Sequence, residues 1–187
     1  MRLLTRGGTM SKILVLAGSP RKNGNTDRLA DAFVKGAEKR NEVEVFSVHD
    51  YRIRPCTGCD TCFTRAGNEC VQDDDMPLIY RKLHDTDTLI IASPVYFYGI
   101  SAQLKAVVDR LHTPMRDFFP IQKLGLILVG AAELPELFDS ITAQYRLVLN
   151  FFHLEDAGMV LVRGAREKGA VTEEDLKSVY DFGRSIR

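Results

Sequence analysis

The chain of 187 residues is long enough for one compact domain, and 45% hydrophobic and 27% charged residues are ordinary proportions for a globular protein. The formal net charge is zero, so composition offers no basis for binding nucleic acid or an anionic membrane surface. No apolar run approaches a membrane span, and residues 1–9 lack the apolar region of a secretory signal. We therefore expect a cytoplasmic protein without nucleic-acid or membrane partners, in which residues 1–9 form a flexible extension.

Strand and helix patterns alternate five times along the chain. The predicted strands are 12–18, 43–48, 88–93, 124–129 and 157–162, and the predicted helices are 26–39, 73–83, 101–111, 135–151 and 172–186. Continuously apolar strands are typical of parallel sheets covered on both faces, and parallel strands need right-handed crossover connections. The pattern predicts a single α/β domain over residues 1–187, with a flavodoxin-like, doubly wound sheet of five strands in the order 2-1-3-4-5 and three layers.

A polar loop joins the first predicted strand to the first helix. The start of a helix offers free backbone N–H groups and a partial positive charge, which together attract phosphate. The candidate phosphate-binding residues in this loop are Ser19, Arg21, Asn23, Gly24, Asn25 and Thr26. The Rossmann glycine pattern is absent, and Asn25 stands where a P-loop would have lysine, which disfavours nucleotide triphosphate hydrolysis. The alternative is a polar loop that only caps the helix.

An aromatic loop follows the third predicted strand. In the predicted fold, the first and third strands flank the crevice where ligands bind. A flat ring system needs apolar and aromatic walls with backbone groups for its heteroatoms. The candidate residues are Pro94, Val95, Tyr96, Phe97, Tyr98 and Gly99, together with Gly130 after the fourth strand. The alternative is that these aromatic side chains belong to the core.

Three segments together resemble a known family. They are Gly18 to Thr26, Ser93 to Tyr96, and Leu104 to Arg110. On these motifs the chain resembles the NADPH-dependent FMN reductases from about Met10 to its C-terminal helix. The resemblance implies FMN, with its phosphate on the first loop and its isoalloxazine ring on the aromatic loop, NAD(P)H as electron donor, and a homo-oligomer. Members reduce flavins, quinones or other small molecules, so the resemblance implies an FMN-dependent oxidoreductase with a small-molecule acceptor.

All four cysteines, Cys56, Cys59, Cys62 and Cys70, lie in one irregular segment. Bacterial ferredoxins bind clusters through a similar run of three cysteines with a more distant fourth, whereas zinc usually takes two separated pairs. The segment also resembles the compact cysteine motif of iron–sulfur flavoproteins. That resemblance implies a 4Fe-4S cluster near the flavin that relays single electrons. The alternative is that the thiols shape the loop beside the flavin or act as redox thiols.

Rival functions stay open on the sequence. One is an iron–sulfur flavoprotein that takes electrons from ferredoxin, and another is a flavodoxin-type electron carrier. Such carriers tend to be strongly acidic, and a pI of about 6.9 counts against one here. A nucleotide-binding regulatory module is a third and weaker rival function.

Other polar residues are interpreted as structural. The histidines at 49, 84, 112 and 153 show no metal-ligand spacing. The acidic run 73–75 is expected to supply negative charge at a helix start. Asp109 and Arg110 are expected to form a structural ion pair; the alternative is contact with the flavin edge or with a dimer partner.

Overall fold

The computed structural model describes residues 10–187, so the predicted extension 1–9 lies outside the described residues. The strands are β1 (Ser11–Ala17), β2 (Asn41–Ser47), β3 (Thr88–Tyr96), β4 (Gly99–Ile100), β5 (Lys123–Val129) and β6 (Glu155–Val162). The α-helices are α1 (Asn25–Ala37), α2 (Thr61–Thr64), α3 (Met76–Leu83), α4 (Ala102–Asp109), α5 (Asp139–Phe152) and α6 (Glu173–Ser185). Within residues 10–187, no helix has the length and apolar character to cross a lipid bilayer.

Five long parallel strands form the sheet in the order β2-β1-β3-β5-β6, and β4 adds a short antiparallel strand to β3. When the long strands alone are counted, this is the predicted order 2-1-3-4-5, and the flavodoxin-like fold is confirmed. The added β4 is the difference, because β3 continues beyond its predicted end into a hairpin. Since the strand order reverses between β1 and β3, their carboxyl ends flank the expected crevice.

Helices cover both faces of the sheet, and β1 shows why its sequence is apolar throughout. Leu14 and Leu16 pack on the face covered by α3, α4 and α5, whereas Ile13 and Val15 pack on the face covered by α1 and α6. Successive side chains of a strand point to opposite faces, so a strand between two helical layers needs an apolar residue at every position. The edge strand β2 is less buried: Asn41 and Phe46 are buried, whereas Glu42, Glu44 and Val45 are exposed.

The helix predicted at 73–83 starts later, at Met76, because the acidic residues before it bind elsewhere. Asp74 accepts hydrogen bonds from the backbone N–H groups of Met76 at 3.2 Å and Arg54 at 2.9 Å. Asp75 accepts one from the Arg52 N–H at 2.7 Å. The acidic run therefore fastens α3 to the preceding segment, in addition to supplying charge at the helix start.

A buried ion pair joins the end of α4 to this acidic run. Arg110, which is 4% exposed, donates from Nη2 to Asp74 Oδ1 at 3.1 Å and from Nη1 to the other Asp74 oxygen. Burial raises the pKa of Asp74, but hydrogen bonds from Arg110, Arg54 and Met76 outweigh burial and hold that pKa below its ordinary 3.8. The structural role predicted for Arg110 is thus observed.

Replacing Asp74 by Asn should lower the free energy of unfolding by about 3–5 kcal/mol, because Arg110 is left buried without its counter-charge. In the wild type, the folded-state pKa of Asp74 lies below the unfolded value, so its stabilisation is complete above that unfolded value and is lost as pH falls below about 4. Urea unfolding near neutral pH and across roughly pH 3–5 measures both effects.

Asp109→Asn is the matched control. It breaks the exposed Lys105–Asp109 ion pair on α4, the helix that ends beside Arg110. The Asp109→Asn change should lower the free energy of unfolding by less than about 1 kcal/mol. Equal losses in the two variants would contradict a special role for the buried pair.

Candidate functional site

The start of the loop after β1 is joined to β3 and to the residue that follows β4 at the carboxyl edge of the sheet. The Gly18 N–H donates to the Ala92 carbonyl at 2.8 Å, and Ser101 Oγ donates to the Gly18 carbonyl. The Ser101 N–H in turn donates to Ser93 Oγ at 3.1 Å, and both serines are fully buried. These hydrogen bonds place the predicted phosphate loop beside the predicted aromatic loop.

The loop after β1 forms a tight concave turn. Ser19 Oγ accepts a hydrogen bond from the Arg21 N–H at 3.1 Å and donates to the Arg21 carbonyl at 2.9 Å. Asn23 adopts a left-handed conformation (φ 56°), and Gly24 precedes the 13-residue α1. A Cβ on Gly24 would lie 3.4 Å from the Arg21 carbonyl oxygen and 3.6 Å from Ser19 Oγ, so glycine keeps the concave side open. The free N–H groups of the first helical turn complete an anion cradle.

Asn25 and Thr26 begin α1 and are both buried. The Asn25 side chain donates to the carbonyls of Ala165 at 2.9 Å and Glu167 at 2.8 Å, and it accepts from the Gly169 N–H at 2.8 Å. It therefore ties the segment 165–169 to the start of α1. Because these contacts use the amide, the predicted role of Asn25 as a phosphate ligand is restricted to its backbone N–H.

His49 is a neighbour of the cradle that the sequence interpretation treated as an ordinary polar residue. Its Nδ1 lies 3.0 Å from the Ser19 carbonyl oxygen, and its Nε2 lies 3.3 Å from Asp50 Oδ1. Lys22 also binds Asp50, at 2.7 Å, and that hydrogen bond lowers the pKa of Asp50. A signal existed in the sequence, because His49 directly follows the predicted strand 43–48, and the carboxyl ends of neighbouring parallel strands meet at one edge.

The predicted aromatic loop is a tight hairpin turn between β3 and β4. Phe97 (φ 48°) and Tyr98 (φ 62°) both occupy the left-handed region, as a two-residue type I′ turn requires. Phe97 is 99% exposed, and Tyr96 and Tyr98 are 42% and 45% exposed. Ser140 at the start of α5 donates to the Tyr98 carbonyl. These aromatic residues are surface residues at the crevice, which disfavours the alternative that they belong to the core.

The remaining predicted ring-binding residues lie beneath or beside this turn. Pro94 is buried in β3 opposite Val129 of β5. A Cβ on Gly130 would lie 3.6 Å from Val95 Cβ and 2.5 Å from Leu137 Cδ2, so a larger residue there would displace the Leu137 side chain. The structure thus brings the residues after β1, β3 and β5 to one edge.

The cysteine segment lies outside the sheet, and its four thiols are free. Cys56 and Cys59 are exposed, whereas Cys62 and Cys70 are partly buried. Burial raises the pKa of the Cys62 thiol. Thr61 hydrogen-bonds to Cys59 Sγ at 3.4 Å and lowers the pKa of Cys59.

The donor set suits an iron–sulfur cluster in kind and spacing, because such clusters are held by four cysteine thiolates. Across residues 10–187, no three His, Cys, Asp or Glu side chains are grouped so that they could hold a metal ion as they stand. The four sulfur atoms would therefore have to move together around a cluster.

A separate apolar cavity of about 420 Å³ lies between α4 and α5. Its lining includes Leu126, Ile141 and Tyr145, and it includes none of the predicted phosphate- or ring-binding residues. Leu147 and Phe151 are exposed large apolar side chains on α5.

Known proteins resemble this chain in sequence and in structure. An iron–sulfur flavoprotein of Archaeoglobus fulgidus is 33% identical over 182 residues, which cover 94% of this chain and 78% of the relative. An iron–sulfur flavoprotein of Methanosarcina thermophila is 37% identical over 63% of this chain and 61% of its own length. An NAD(P)H:quinone oxidoreductase from Methanothermobacter marburgensis has the same fold, with a TM-score of 0.76 at 16% identity over 94% of this chain and 96% of the other.

Residues 11–186 match the sequence profile of the family described as NADPH-dependent FMN reductase. The match covers nearly the whole described chain, including all three motifs that carried the resemblance. The chain therefore belongs to the NADPH-dependent FMN reductase family and is an NAD(P)H-dependent FMN oxidoreductase.

Proposed function

We propose that this protein binds FMN across the loops after β1 and β3 and uses NAD(P)H to reduce a small flat acceptor such as a quinone or a free flavin. The observation that supports this most is the hydrogen-bonded contact between Gly18, Ala92 and Ser101. It brings an anion cradle and an aromatic turn together, and FMN carries a phosphate and a planar ring that need these two surfaces.

The residues at the carboxyl edge of the sheet have separate roles in this proposal. The backbone N–H groups of Asn25 and Thr26 and the Thr26 hydroxyl bind the phosphate, and exposed Arg21 adds positive charge. Ser19 shapes the cradle, because its hydroxyl donates to the Arg21 carbonyl. The turn from Tyr96 to Gly99 contacts the ring. FMN, when bound, supplies the hydride and electron chemistry, while the protein supplies binding and orientation.

The absorption spectrum of protein purified without oxygen, followed by NAD(P)H oxidation in the presence of a quinone or free FMN, tests this function. Flavin bands and pyridine-nucleotide turnover are the expected results. Flavin bands without turnover by any pyridine nucleotide would favour the flavodoxin-type carrier. Protein that neither contains nor takes up FMN would contradict the proposal and favour the regulatory module.

Thr26→Val should weaken FMN binding about tenfold to a hundredfold, because it removes a hydroxyl beside the phosphate while keeping the side-chain shape. Quenching of FMN fluorescence on binding to the apo protein measures the dissociation constant. Thr142→Val is the matched control, since Thr142 is a buried threonine on α5 that donates to the Asp139 carbonyl. Unchanged FMN affinity in a folded Thr26→Val protein would place the phosphate elsewhere.

A second candidate function is that of an iron–sulfur flavoprotein, in which a 4Fe-4S cluster on Cys56, Cys59, Cys62 and Cys70 exchanges electrons with the flavin. Two observations favour it: one short segment carries all four thiols, and the two sequence relatives described above are named iron–sulfur flavoproteins. Ferredoxin as the electron-donating partner, and a homo-oligomer in solution, stay predictions of the resemblance.

Iron and acid-labile sulfide assays on anaerobically purified protein test the cluster. The expected result is roughly four iron atoms per chain, with a similar amount of sulfide. Replacing Cys59 by Ser should reduce both values while FMN is retained. Full FMN content with no iron, under strict exclusion of oxygen, would contradict the cluster. The protein would then be an FMN oxidoreductase without an iron–sulfur centre.

A further inference from the structure

The cysteine loop, defined as residues 56–70, is closed at its base by hydrogen bonds between the segments that flank it. The Arg52 N–H donates to Asp75 Oδ2 at 2.7 Å, and the Asp75 N–H donates back to the Arg52 carbonyl at 3.0 Å. Nearer the loop, the side chain of Gln72 donates to the Pro55 carbonyl at 3.0 Å. The segments 52–55 and 72–75 are therefore joined before any ligand binds.

Arg110 contacts both sides of this base at once. Its Nη1 donates to the Arg54 carbonyl at 3.1 Å and to Asp74, and its Nη2 donates to Asp74 at 3.1 Å. The Arg54 N–H also donates to Asp74, at 2.9 Å, so the three residues form a closed set of contacts. Tyr80 Oη binds the Arg110 carbonyl at 2.8 Å, which ties the set to α3. The base of an exposed loop is thereby fixed to the buried core.

One donor of Arg110 is left over. Its Nε is buried and has no hydrogen-bond partner among the described residues. A buried N–H group without an acceptor is costly, which makes an acceptor at this place favourable. Cys70 stands two residues before Gln72, which closes the base of the loop through Pro55. Burial lowers the pKa of Arg110, whereas the hydrogen bond with Asp74 and the charge of Cys70 raise it.

A closed loop base and a buried cation both favour a four-thiolate centre. Gathering four side chains from a 15-residue loop costs conformational entropy, and a closed base reduces that cost. Four thiolates around a metal also concentrate negative charge, which a buried guanidinium stabilises.

We propose that Arg110 is the positioning residue of the cysteine loop. Its two terminal nitrogens hold the ends of the loop together, and its Nε–H donates to the Cys70 thiolate when the four cysteines bind a thiophilic metal. The proposal rests on the metal-binding part of the proposed function, and it assigns Arg110 no contact with FMN.

The test replaces Arg110 by Lys. Lysine keeps the positive charge but lacks both the paired terminal nitrogens of the guanidinium and the Nε–H group. Anaerobic Co²⁺ is the probe, because thiolate-to-cobalt absorption reports binding directly. Arg110→Lys should weaken Co²⁺ binding at least about tenfold, which corresponds to about 1.4 kcal/mol. Its charge-transfer band should also move to longer wavelength, because a thiolate without a donor is more easily oxidised. In the metal-free protein, amide exchange in residues 56–70 should become faster.

Lys105→Gln is the matched control, since it removes a cation from the exposed face of the same helix. Its Co²⁺ affinity, band position and loop exchange should equal those of the wild type. If Arg110→Lys does not fold, the double variant Arg110→Gln with Asp74→Asn avoids an uncompensated buried charge and should show the same weakening and exchange.

A folded Arg110 variant with wild-type Co²⁺ affinity and wild-type loop exchange overturns the proposal, as does weaker binding with neither a band shift nor faster exchange. A wild-type protein that binds no Co²⁺ through its thiolates also overturns it. FMN affinity, measured on the same proteins, should be unchanged throughout. A wild-type protein that does not bind FMN would instead contradict the proposed flavin site. Failure of the Arg110 proposal and failure of the FMN proposal are therefore distinguishable.

Discussion

The site depends on one local constraint, which is the attachment of the chain leaving β1 to the chain leaving β3. The Gly18 N–H and carbonyl are both satisfied by residues on either side of the aromatic turn, Ala92 in β3 and Ser101 after β4. Each hydrogen bond contributes only about 1 kcal/mol, but breaking one would leave a buried polar group without a partner. Because the loops are held by buried backbone groups, the cradle and the aromatic turn keep a fixed spacing, and the side chains around them are free to serve a ligand.

The sheet order and the meeting of the two candidate loops were readable from the sequence because both follow from local patterns. The apolar run of β1 indicates a strand buried on both faces, and the reversal of strand order then fixes which loops meet. The tasks of individual side chains were not readable. Asn25 binds residues about 140 positions later in the chain, and such partners leave no trace in the local pattern. The same reason explains the late start of α3, since Asp74 is held by Arg110 from another helix.

The aromatic turn shows a different limit. A run of Tyr, Phe and Tyr has high strand propensity, and the sequence suggests either a wall for a ligand or core packing. The structure puts two of these residues in left-handed conformations that aromatic side chains seldom adopt. Such strain persists when the surroundings fix it, and here the hairpin pairing and the Ser140 contact do so. The turn therefore presents its rings outward at the crevice.

The cysteine loop stands apart from the layers that stabilise the fold. None of its four cysteines is among the buried core residues, and the buried pair of Arg110 and Asp74 connects the base of the loop to the core. Damage to sulfur ligands by oxygen would consequently spare the hydrophobic interior. If the loop carries the proposed cluster, the flavin domain would keep its fold after that cluster is lost.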